Sequence, residues 1–73
     1  MIKTVIIDDE PAMQDVNCRL LNEYFPEIYL AGIANSVETG VQLIKKENPQ
    51  LVLLDVELGS GNGFQVLQQL KPY

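Results

Sequence analysis

Three aspartates stand where two short apolar runs stop. Thr4 to Ile7 (TVII) meets Asp8, Asp9 and Glu10, and Leu51 to Leu54 (LVLL) meets Asp55. Apolar runs of this kind suit strands buried on both faces, with polar residues just past their carboxyl ends. If the two strands are neighbours in a parallel sheet, the three carboxylates converge at one edge. Such convergence is costly, because like charges a few ångströms apart repel unless a cation compensates. The chain has no histidine, and a cluster of oxygen donors is the set that Mg²⁺ prefers. A carboxylate beside such an ion can attack a phosphoryl group and become an aspartyl phosphate, while the ion offsets charge on the transferring oxygens. Each acidic group also has a local reading: side chains at strand ends cap helices and turns, and Asp9 or Glu10 could favour the start of the following helix. Acidic residues ending two buried strands at the ligand-binding edge of an α/β sheet tilt the balance towards phosphoryl chemistry.

The elements that must position these residues alternate along the chain. Pro11 fits the first position of a helix in which Met13, Val16, Leu20 and Tyr24 recur at spacings of three and four, ending before Pro26. Residues 28–34 (IYLAGIA) read as a second strand, and Asn35 or Ser36 can cap a helix with Val37, Val41 and Ile44 on one face. Asn48-Pro49 ends it, LVLL is the third strand, and the loop ELGSGNG leads to a helix presenting Phe64, Leu67 and Leu70. Three strand–helix units are complete by Lys71. Tyr24, Phe25 and Tyr29 flank a turn and are expected to pack the first helix onto the second strand. Strand–helix alternation with short connections predicts an α/β fold, a doubly wound parallel sheet with right-handed crossovers and helices on both faces.

Composition narrows the function classes. Seventy-three residues make one small domain at most, and a chain of this size buries only about 60% of its unfolded surface. A composition of 47% hydrophobic and 21% charged residues is that of a globular chain, and no apolar run approaches a membrane span. The start, MIKTVIIDDE, meets two aspartates too early for a signal peptide, which makes the cytoplasm the expected compartment. A net charge of −5 disfavours direct nucleic-acid binding by this segment. Without histidine and with Cys18 alone, soft-metal sites and an internal disulfide are excluded, and Cys18 reads as an idle thiol in the first helix. The glycines around Ser60 lack the spacing of a phosphate cradle and read as a flexible active-site loop.

Two blocks, IIDDEP near the start and LVLLDVELGSGNGFQVL some forty residues later, resemble in order and spacing the receiver domain of bacterial response regulators. The resemblance implies a CheY-like, flavodoxin-like sheet of strand order 2-1-3 and a cytoplasmic phosphoacceptor of two-component signalling that is not an enzyme in its own right. By the same resemblance Asp55 is the phosphoacceptor, with a sensor histidine kinase or phosphotransfer protein as donor. Asp9 is then a direct Mg²⁺ ligand, Asp8 acts mainly through water, the backbone carbonyl of Glu57 completes the protein ligands, and Gly63 falls where receivers place a glycine. The DDEP and ELGSGNGF blocks are also similar to those of regulators with a LytTR-type DNA-binding output, which implies transcriptional control through a segment not in this chain.

The departures are specific. Gly59 stands where receivers commonly have proline, which loosens the loop without touching a ligand. Receivers have five βα units, so residues 1–73 are expected to be a partial receiver domain lacking the fourth and fifth. The hydroxyl and lysine residues that end those strands in the family have no counterpart here, and phosphotransfer is expected to be impaired without them. Lys3, Lys45, Lys46 and Lys71 follow no predicted strand and read as solvated faces. Two rival readings are a non-switching interaction module and, more weakly, an aspartyl-nucleophile phosphatase, whose usual Asp-x-Asp pair is replaced here by Asp-Asp-Glu. An apolar third strand lacking its next neighbour would also offer an edge for pairing with a second copy.

Overall fold

In the computed structural model, which describes residues 1–59 and 61–70, three parallel strands form the sheet. They are β1 (Ile2–Ile7), β2 (Ile28–Ala34) and β3 (Leu51–Leu54), in the order β2-β1-β3. The 2-1-3 order and the α/β class implied by the sequence are those observed. β1 begins before its apolar run because Ile2 and Lys3 pair with Ile28 and Tyr29 of β2, so hydrogen bonding rather than hydropathy sets its start. Between two neighbours, Thr4, Val5, Ile6 and Ile7 are wholly buried, and the Thr4 hydroxyl is satisfied by donating to the Ile2 carbonyl. β3 departs from its expected burial on both faces. Among the described residues it pairs with β1 alone, so Leu51 is exposed and Val52, Leu53 and Leu54 are half-buried.

The β1–β2 ladder is regular except at one point: Thr4 pairs with Leu30 and Val5 with Gly32, leaving Ala31 as an extra residue in β2. On one side of the sheet, Ile28 and Leu30 line a groove with Cys18 and Leu21 of α1 (Pro11–Tyr24). On the other, Gly32 lies against Leu43 of α2 (Val37–Glu47), and Ala34 joins Ile7, Val37 and Val41 in the core. The core is completed by Leu58 and by Val66 of α3 (Gly63–Gln69), with Val52, Leu54 and Leu70 packed against it. α2 and α3 therefore cover one face and α1 the other.

Each helix starts by a different device. Pro11 opens α1, whose N-cap residue Glu10 makes no side-chain capping bond. The Ser36 hydroxyl accepts from the Thr39 N–H at 3.1 Å in a reciprocal capping box that starts α2. At its far end Asn48 adopts left-handed φ of 48° and donates to the Ile44 carbonyl, as the Asn-Pro signal implied. α3 has its own capping box, with Asn62 Oδ1 accepting from the Gln65 N–H and Gln65 Oε1 accepting from the Asn62 N–H.

Three packing expectations are corrected. On α3 the buried residues are Gly63 and Val66, while Phe64 is 63% exposed and Leu67 faces outward. The helix docks through its Gly63–Val66–Leu70 stripe against α2 and the strand ends, which turns Phe64 away. Tyr24, Phe25 and Tyr29 are all exposed, and the groove between α1 and β2 is lined by Cys18, Leu21 and Asn22 on the helix and by Ile28, Tyr29 and Leu30 on the strand. Met13, Val16 and Leu20 are each more than two-fifths exposed, and α1 buries none of its residues fully. The ELGSGNG segment also holds structure unanticipated from sequence: β4 (Glu57–Leu58) and β5 (Gly61–Asn62) form a short antiparallel pair, anchored by the buried Leu58. Ser60 and Lys71 lie outside the described residues.

Candidate functional site

The sheet carries its ladder one residue beyond the strands and into the site. The Asp8 N–H donates to the Ala34 carbonyl at 3.0 Å, and the Asp55 N–H donates to the Ile7 carbonyl at 2.9 Å. Two of the three aspartates are thus held at the backbone by the same hydrogen-bond pattern that builds the sheet. Asp9 follows directly, and one oxygen from each of Asp8, Asp9 and Asp55 lies within 4.8 Å of the other two. The convergence expected from neighbouring strand ends is what the structure shows.

The local reading of these acids holds for one oxygen each of Asp8 and Asp55. Asp8 Oδ1 accepts the Glu10 N–H at 3.0 Å, and Asp55 Oδ1 accepts the Glu57 N–H at 3.2 Å. Both are turn-forming bonds to the backbone two residues on. Each leaves a second carboxylate oxygen with no hydrogen-bond partner among the described residues. Asp8 is buried, Asp55 half-buried and Asp9 exposed, so the carboxylates grade from the sheet out to solvent. Neither Asp9 nor Glu10 caps α1 through its side chain.

These groups line an open cleft of about 710 Å³ together with Glu10, Met13, Glu57 and Gly59. Its charged residues are all acidic, and no lysine or arginine of the described residues lines it. Lys3 pairs instead with Glu47 at 3.2 Å, and Lys45 and Lys46 occupy the last turn of α2, as solvated-face readings require. Met13, assigned from sequence to a packing stripe, contributes to the cleft because α1 starts beside it. Gln14 was missed altogether. Its Nε2 donates to the backbone carbonyl of Asp8 from one turn into α1, and only the spacing of six residues could have hinted at that bond.

Gly63 packs against the Asp55 backbone, and Gly59 lines the cleft beside Asp9. A Cβ on Gly63 would lie 2.5 Å from the Asp55 carbonyl oxygen and 3.0 Å from Leu54 Cγ, and the Gly63 N–H donates to the Val56 carbonyl at 2.8 Å. The start of α3 therefore presses directly on the backbone that carries Asp55. A Cβ on Gly59 would meet Asp9 Oδ2 at 3.1 Å, placing this residue against the outermost carboxylate.

A family model described as the response regulator receiver domain matches residues 4–73. The chain belongs to the response regulator receiver domain family. It is 34% identical over 71 residues to the sensory transduction protein LytT of Bacillus anthracis, a match covering 97% of this chain and 28% of that protein. It is also 34% identical over 67 residues to a probable C4-dicarboxylate response regulator, DctR, of Priestia megaterium, covering 92% of this chain and 29% of the relative. A crystal structure of a LuxR-family two-component response regulator from Aurantimonas sp. SI85-9A1 superposes with a TM-score of 0.88 at 20% identity. That match covers 97% of this chain and 50% of the other, and it shows the fold. The chain thus spans less than a third of these two relatives.

The donor set fits the Mg²⁺ typical of this family. The three side-chain donors it would use are hard carboxylate oxygens on one open cleft. The three donor oxygens lie within 4.8 Å of one another, a spread over which one small hard cation could be shared. No helix among the described residues is long and apolar enough to cross a membrane.

Proposed function

We propose that this chain is the phosphoaccepting part of a two-component response regulator, with Asp55 as the acceptor. The observation that carries the reading is the placement of the Asp55 carboxylate within 4.8 Å of those of Asp8 and Asp9 at the carboxyl edge of a parallel sheet. Asp8, Asp9, Asp55 and the Glu57 backbone carbonyl would hold Mg²⁺, which when bound neutralises charge on the phosphoryl oxygens. An Asp55 oxygen attacks phosphorus as the bond to the donor's leaving group breaks, forming an acyl phosphate on the side chain. The Glu57 N–H holds Asp55 Oδ1, which orients the carboxylate for that attack. The chain contains no histidine, so the donor is a separate kinase domain, a phosphotransfer protein or a small phosphodonor.

Residues 1–73 are on this reading the first three βα units of a receiver, acting in the cytoplasm on a transcriptional output carried outside this segment. The 30% identity over 71 residues to the transcriptional regulatory protein MalR of Bacillus subtilis supports that assignment of output. Incubation with a small phosphodonor and Mg²⁺, followed by intact-mass measurement, tests it. Gain of one phosphoryl group by the wild-type chain and none by Asp55→Asn is the expected result. Equal labelling of both would remove Asp55 from the role. No labelling of either, with Mg²⁺ binding intact, would favour the interaction-module reading.

A further inference from the structure

We propose that Gln14 is a positioning residue for the acidic cluster, setting Mg²⁺ affinity without touching the ion; the inference rests on the metal-site reading above. Asp8 is tied at three of its polar atoms to three different parts of the chain. Its N–H donates to Ala34 of β2, its Oδ1 accepts from the Glu10 N–H, and its carbonyl oxygen accepts from Gln14 Nε2. The first bond belongs to the sheet and the second to the turn. The third is a side-chain bond from α1 that spans six residues, and the described residues hold no other such bond between α1 and the acidic turn.

Its geometric effect follows from peptide planarity. The Asp8 carbonyl and the Asp9 nitrogen and Cα share one rigid plane. Anchoring that oxygen fixes the plane's rotation, and with it the point from which the exposed Asp9 carboxylate departs. The Asp9 side chain is exposed and accepts no hydrogen bond among the described residues, and the carboxylates nearest it, those of Asp8 and Asp55, repel it, so no direct bond places it. Gln14 supplies that placement from behind. Half-buried on the first turns of α1, it lies outside the residues that line the cleft.

Removing the donor while keeping the length of the side chain isolates this effect. In Gln14→Met the Asp8–Asp9 peptide loses its anchor, and Mg²⁺ binding is expected to weaken about two- to tenfold, the range spanned by one ordinary hydrogen bond. The measurement is a Mg²⁺ titration of the chain followed by amide NMR shifts of Asp9, Glu10 and Glu57, with Asp9→Asn alongside and urea unfolding recorded without Mg²⁺. A merely structural role would lower the unfolding midpoint and leave the affinity of the folded molecules unchanged. In the metal-free wild type, one Gln14 side-chain NH₂ proton is expected to show protection from exchange, reporting the bond directly. Wild-type affinity in Gln14→Met together with lost affinity in Asp9→Asn would overturn the role of Gln14 while sparing the metal site. Wild-type affinity in Asp9→Asn, or no binding by any variant, would overturn both.

Discussion

Gly63→Ala sets two opposing effects against each other where α3 meets the Asp55 backbone. On general grounds the substitution should help, since alanine in place of glycine lowers unfolded-chain entropy and favours a helix by about 0.4–1 kcal/mol. Gly63 does not have positive φ, so no backbone penalty offsets that gain. The contact decides the sign. A Cβ would stand 2.5 Å from the Asp55 carbonyl oxygen and 3.0 Å from Leu54 Cγ, where ordinary contact begins near 3.4 Å. The close atom is backbone, at the end of a strand pinned to Ile7, so relief requires α3 to lift or the Asp55 peptide to rotate. Forcing one carbon into a packed site costs about 1–3 kcal/mol. The net expectation is a destabilisation of about 1–2 kcal/mol, or a fall of several degrees in melting temperature for a domain of this size. Urea unfolding followed by circular dichroism measures it. Gly59→Ala is the control, because its Cβ meets only the end of the Asp9 side chain and should not lower stability. A Gly63→Ala chain as stable as wild type would refute the claim that α3 abuts the Asp55 backbone.

Three further outcomes follow from packing and capping. Val66 is wholly buried and Phe64 mostly exposed, so Val66→Ala should cost about 1–3 kcal/mol in urea unfolding and Phe64→Ala distinctly less. Ser36→Ala removes the reciprocal cap of α2 and should cost about 1 kcal/mol by the same assay, with Ser36→Asp retaining most of it. β3 presents an edge without a strand partner among the described residues, and sedimentation equilibrium is expected to show self-association that Leu53→Lys reduces; a monomer at all concentrations would count against edge pairing.

The sheet was legible because its strands carry β-branched or leucine-rich runs bounded by sharp polar stops. TVII-DD and LVLL-D announce both the strand and the edge at which its buried run stops, one residue short of the last ladder bond. Helix limits were equally clear where the chain uses Pro11, Ser36 and Asn48-Pro49, each of which acts on the local backbone. Side-chain burial was less legible, because it depends on partners that are distant in sequence. Phe64, Leu67 and Leu70 form as good a helical stripe as Gly63, Val66 and Leu70, and the larger residues drew the assignment. What selects the second stripe is the close approach of Gly63 to Asp55, a tertiary fact. The β4–β5 pair escaped notice because two-residue strands have no alternation to read, and ELGSGNG carries mostly turn chemistry. At the site, Asp8, Asp9 and Asp55 were identified by type and position, whereas Gln14 acts through its reach across a turn.

Ala31, the unpaired residue in β2, bears on how this strand can vary in length. Side chains paired across a parallel ladder point to the same face, so Leu30 beside Thr4 and Gly32 beside Val5 already sit on opposite faces as a regular strand would place consecutive residues. Losing Ala31 would close the ladder without turning any neighbour around: Ile28 and Leu30 would stay beneath α1, and Gly32 and Ala34 beneath α2. A gain or loss in β1, which has partners on both sides, would instead send Val5 and Ile7 to the wrong face. Among related chains, a one-residue gap in this stretch therefore belongs at position 31, wherever residue similarity alone would put it.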